Sequence, residues 1–260
     1  MRIWRLVAPI VAACVAAGVS AQESKPDPAA ELEKLEGELK AAQKAFSKLL
    51  HDKEASGESL TVADFANEPS KVFLPRFRAL ADRAKGTDAG MQALVRTAVL
   101  AFQTNDSEAC GTAIEEAMRA DPDSAHLERV VGILGYAGDR LGRERVETWL
   151  DQLSKSSRRE LRAAVRGTRL RQAMQNLAYS SGARSDDGTL AKAKKLAKEL
   201  IADYADTDAG QAAKGALFEL ENLQIGQVAP EIVGRDADDG EFRLTSYRGK
   251  VVVLDFWGFW

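Results

Sequence analysis

Ala29-Ala30-Glu31-Leu32-Glu33-Lys34-Leu35-Glu36-Gly37-Glu38-Leu39-Lys40-Ala41-Ala42-Gln43-Lys44-Ala45-Phe46-Ser47-Lys48-Leu49 sets the pattern for most of this chain. Leu32, Leu35, Leu39, Ala42, Phe46 and Leu49 recur at spacings of three and four with charges on the other faces, the signature of an amphipathic helix with one apolar stripe. The same texture, rich in Ala, Leu, Glu, Lys and Arg, continues to about Leu223. It is interrupted at Ser56-Gly57, Glu68-Pro69, Lys85-Gly86-Thr87-Asp88, Asp121-Pro122-Asp123-Ser124, Gly138-Asp139 and Ser181 to Gly188, where a helix stop meets a new cap. The sequence therefore predicts a mainly α body over residues 29–223, built of helices of roughly 12 to 20 residues joined by short turns as antiparallel hairpins.

Two patterns recur inside this body. Thr87-Asp88-Ala89-Gly90, followed by Ala93 and Leu100, is echoed by Thr207-Asp208-Ala209-Gly210, followed by Ala213 and Leu220. A threonine or aspartate is expected to cap each new helix, and the small residues let it approach its neighbour closely. Ala113-Ile114-Glu115-Glu116-Ala117-Met118-Arg119-Ala120-Asp121-Pro122-Asp123-Ser124 resembles the end of a tetratricopeptide repeat. The resemblance implies a tetratricopeptide-like helical array, and a plain helical bundle is the competing arrangement.

At 260 residues, 45% apolar and 29% charged, the chain has enough material for one large or two modest cores. Its formal charge is −3, and −5 without Arg2 and Arg5, which argues against nucleic acid as a partner. Those two arginines open a leader. An apolar run from Leu6 to Val19 follows, then small residues at Val19-Ser20-Ala21, so residues 1–21 read as a secretory signal cut before Gln22. The run is shorter than the ~20 residues that span a bilayer and is broken by Pro9, so no transmembrane span is expected after cleavage. Val11-Ala12-Ala13-Cys14 also looks like a lipoprotein cleavage box, the less favoured alternative. Gln22 to Pro28 is polar and proline-containing, a linker from the export site. The expected location is the periplasm or cell envelope.

Chemistry-bearing residues are sparse in the body. His51 and His126 stand apart from any Cys, Asp or Glu at metal-ligand spacing and read as surface or boundary residues, so no metal site is expected. Cys110, the one cysteine left after leader cleavage, falls on the small apolar face shared with Ala113 and Ile114 and reads as a packed hydrophobe. Arg158, Arg159, Arg162, Arg166, Arg169 and Arg171 alternate with Leu161, Val165 and Leu170, which favours a solvated helix face over an anion surface. The lysines from Lys192 to Lys198 read likewise. No phosphate loop, nucleophile elbow or catalytic carboxylate pair is legible.

The texture changes near Asn222. Ile225 to Ile232 is extended and proline-containing, and Asp236-Ala237-Asp238-Asp239-Gly240-Glu241 is a turn between two short strands. Val251 to Phe256 is β-branched and apolar on both faces, as a central parallel strand requires. The order Gly226-x-x-Ala229-Pro230, then Asp236 with Asp239-Gly240, then Leu244-x-x-Tyr247-Arg248-Gly249-Lys250-Val251-Val252-Val253-Leu254-Asp255-Phe256-Trp257 resembles the opening of the redoxin family. That family includes exported TlpA-type thiol-disulfide oxidoreductases and the alkyl hydroperoxide reductase/thiol-specific antioxidant proteins. The resemblance covers residues 225–260 and implies the first part of a thioredoxin-like α/β domain, truncated before its redox motif.

By that resemblance, Trp260 is the tryptophan preceding the redox Cys-x-x-Cys, Trp257 lies in the aromatic turn, and Asp255 matches an acidic position on the strand below the site. A carboxyl desolvated there would have a raised pKa and could exchange a proton with the second thiol. No catalytic residue itself is present, and no cofactor is called for. The implied partner is a protein disulfide or thiol, with a further protein partner for the helical body. Val251 to Trp260 is expected to be left as an exposed apolar edge. An arbitrary fragment boundary, a frameshift and a selenocysteine codon read as a stop are the competing explanations of this ending, and only the last accounts for its position. The leading expectation is thus an exported thioredoxin-like oxidoreductase, and its rival is a non-enzymatic helical scaffold of the envelope.

Overall fold

The computed structural model describes residues 27–179 and 187–258. The leader, Cys14, most of the linker, most of the Ser181–Gly188 break and Trp260 lie outside these residues. The described residues form ten helices, two 3-10 turns and one small antiparallel sheet, so the chain is predominantly α as its periodicity predicts.

α1 (Pro28–Ser56) is twice the usual helix length because nothing interrupts it. Asp27 caps its start by accepting from Ala29 N, and Gly57, at φ 76°, closes it in the left-handed conformation. Leu32, Leu35 and Leu39 are buried against α2 (Pro69–Arg83) and α3 (Asp88–Gln103). The second half of the stripe runs past those shorter neighbours. There Phe46 meets Phe65 of the 3-10 turn Val62–Phe65 edge to face at 5.9 Å, and Leu49 stays 45% exposed.

α4 (Ser107–Ala120) packs on α3, while α5 (Leu127–Leu134), the single turn α6 (Gly138–Leu141) and α7 (Arg143–Leu153) continue the array. The break between α3 and α4 was not among those predicted. It turns on Asn105, at φ 60°, and on Asp106, whose carboxylate accepts from Ala109 N. At the Asp121–Ser124 turn, the Asp123 carboxylate accepts from Ser156 Oγ at 2.5 Å, Ser157 N at 2.7 Å and Ser157 Oγ at 2.7 Å, pinning the connection that follows α7.

α8 (Arg159–Tyr179) joins two apolar clusters. Leu161 and Val165 complete the core built by α1 to α7, while Ala163, Leu170 and Leu177 face α9 (Asp187–Asp203) and α10 (Asp208–Asn222). The two faces correspond to spacings of four and of seven, so one helix serves both cores. Its arginines do more than meet solvent. Arg159 pairs with Asp206 at 2.7 Å, Arg166 with Asp203 at 3.4 Å, and both guanidiniums lie 5.2 Å from the Tyr204 ring centroid.

The echoed threonine motif has the same geometry twice. Thr87 Oγ1 accepts from Gly90 N at 3.1 Å and donates to Ala84 O at 2.7 Å; Thr207 Oγ1 accepts from Gly210 N at 3.1 Å and donates to Tyr204 O at 2.8 Å. A Cβ on Gly90 would stand 2.1 Å from Ala84 O, and one on Gly210 1.8 Å from Tyr204 O. The glycines are needed because each helix turns tightly over the end of the one before it.

After α10 come β1 (Val233–Arg235) and β2 (Glu241–Arg243), paired antiparallel with Gly234 opposite Phe242. The Asp-Gly turn forms as expected, with Asp239 at φ 64° and Asp236 N donating to Gly240 O at 2.9 Å. A 3-10 turn, Leu244–Tyr247, follows. Residues 251–258 form no strand and belong to no ladder, which departs from the expected central strand. A central strand needs a hydrogen-bonded neighbour on each edge, and among the described residues the only sheet has two strands. No helix among the described residues is long and apolar enough to cross a membrane.

Candidate functional site

The segment that carries the redoxin resemblance is organised around Glu231. Its carboxylate accepts from Thr245 Oγ1 at 2.5 Å, Thr245 N at 3.1 Å and Ile232 N at 3.1 Å. The Thr245 side-chain bond, followed by the backbone bonds, holds this carboxyl below the usual range. Leu244 N donates to Ile232 O at 2.9 Å, so the Pro230 segment and the 3-10 turn are fastened together just beyond the hairpin. Neither Glu231 nor Thr245 stood out in the sequence. They are 14 residues apart with no periodic relation, and only the preceding Ala229-Pro230 marks the neighbourhood.

This fastening builds a cleft of about 260 Å³ whose walls include Pro230, Leu244, Tyr247, Val252 and Leu254. Exposure along the residues that follow alternates: Val251 98%, Val252 40%, Val253 89%, Leu254 48%. The even positions therefore face the cleft and the odd positions face solvent, the alternation of an extended chain. Asp255 falls on the open side and is exposed. Trp257 is 72% exposed, and Trp260 lies outside the described residues. The structure thus brings Val252 and Leu254 to Pro230 and Tyr247. It does not bring Asp255 or Trp257 into that cleft.

In the helical body the cysteine is buried, one histidine is paired and the other is exposed. Cys110 is fully buried, and burial pushes its thiol up to about 11, so it is a weak nucleophile as the packed reading expects. His126 Nε2 lies 2.7 Å from Asp88 Oδ1 in a side-chain pair, which lowers the Asp88 carboxyl; His51 is exposed at the end of α1. No cluster of three or more His, Cys, Asp or Glu able to hold a metal ion occurs among the described residues. A groove of about 660 Å³ lies between α2, α3 and α4, with Leu94 and Met91 on its wall and both signs of charge at its rim.

Comparison with known proteins returns one kind of relative. Thirty-eight residues of this chain are similar to a thiol-disulfide oxidoreductase. They are 53% identical to "Thiol-disulfide oxidoreductase ResA" of Geobacillus thermodenitrificans (strain NG80-2) and 47% identical to the protein of the same description from Geobacillus kaustophilus (strain HTA426). Each match covers 15% of this chain and 22% of the relative, so the chain spans about a fifth of the length of the curated relatives it matches. No family model matches the chain, and no solved structure does. The similarity supports a thioredoxin-like relationship for a short stretch of the chain.

Proposed function

We propose that this chain carries the helical domain and the opening of the redox domain of an exported thiol-disulfide oxidoreductase acting on protein thiols or disulfides. The observation that carries this reading is the 38-residue similarity to the two Geobacillus oxidoreductases. The Glu231–Thr245 fastening and the Asp-Gly hairpin supply a locally ordered base for it. Export to the periplasm or envelope rests on the leader at residues 1–21.

In this proposal the redox pair is encoded beyond codon 260. Its first member, a thiolate or a selenolate, attacks one sulfur of the substrate disulfide and expels the other as thiolate. The second member then attacks the mixed disulfide, releasing reduced substrate and leaving the enzyme pair oxidised. Two electrons pass from the pair to the substrate, and an external thiol donor restores the enzyme.

The test is to read the gene past codon 260, express the extended frame and assay reduction of a peptide disulfide. The expected result is a Cys or selenocysteine close behind Trp260, with a second Cys near it, and activity lost when the first is replaced by Ser. A downstream frame without such a pair, or an extended protein that reduces no disulfide, would defeat the reading.

A further inference from the structure

We draw no further inference here: the strongest candidate, the groove between α2, α3 and α4 with Lys85 and Arg119 at its rim, sets four carboxylates (Asp82, Asp88, Glu116 and Asp121) against three cations (Arg78, Lys85 and Arg119), and nothing in the structure shows what covers it.

Discussion

Gly90 and Gly210 each sit beneath the carbonyl oxygen of the residue that ends the preceding helix or turn, with no room for a methyl group. The cap that places them was legible because it is local: a threonine oxygen reaching the amide three residues on is a short-range pattern. The carbonyl above the glycine was not named in advance. Gly90→Ala is expected to lower stability by about 1–3 kcal/mol, since overpacking must displace backbone. Gly215→Ala, on a helix position with open space around it, should instead raise stability by about 0.4–1 kcal/mol. Urea titrations of the two variants against the parent decide this, and a neutral Gly90→Ala would show that the turn over Ala84 is not tight.

Asp64 gives a pH dependence of defined sign. Lys53 Nζ donates to it at 2.5 Å and Thr61 through its amide and hydroxyl at 2.8 Å, which together lower its carboxyl to about 2. Its folded value lies below its unfolded one near 4. The contact therefore stabilises the end of α1 fully above that range and is lost as pH falls from about 4 through 2. Asp64→Asn should lower the melting temperature at pH 6 and flatten its dependence between pH 4 and 2. An unchanged slope in that window would mean that other carboxylates govern it.

At the scale of elements, the helices were readable from period and punctuation, while their partners were not. A spacing of three and four says that a face is apolar but not what covers it, so α1 reads as one stripe although α2 and α3 cover only its first half. The same limit hid the role of Asp123, which reaches serines 33 and 34 residues away. It also hid the pairing of the α8 arginines with Asp203 and Asp206, which the sequence favoured as a solvated face. Because α8 contributes Leu161 to one core and Leu170 to the other, Leu161→Ala and Leu170→Ala should each cost about 2–5 kcal/mol. Hydrogen exchange separates their effects: loss of protection centred on α5 and α7 for the first and on α9 and α10 for the second. Equal loss everywhere would indicate one indivisible core.

At the scale of the molecule, aligning the two threonine motifs shows how differently α3 and α10 are covered. Leu94 and Ala101, buried in α3, correspond to Lys214 and Glu221 in α10. α3 packs against both α2 and α4, whereas α10 packs on α8 and α9, and its Glu221 pairs with Lys198 of α9 at 3.0 Å.

The apolar segment beyond it is independent of that core in its exposure. Val253 is 89% exposed and Leu254 faces the cleft, so the two adjacent residues should respond differently to charge. Val253→Lys buries nothing and should leave the urea midpoint of the helical body unchanged within about 0.5 kcal/mol. It should also reduce binding of an apolar dye and self-association, because a charge on an open extended segment opposes edge pairing. Leu254→Lys should loosen the cleft as well, seen as faster exchange of the Thr245 and Leu244 amides that bond to Glu231 and Ile232. If Val253→Lys destabilised the helices as much as a core substitution, residue 253 would have to pack on the body, and its exposed placement would be wrong.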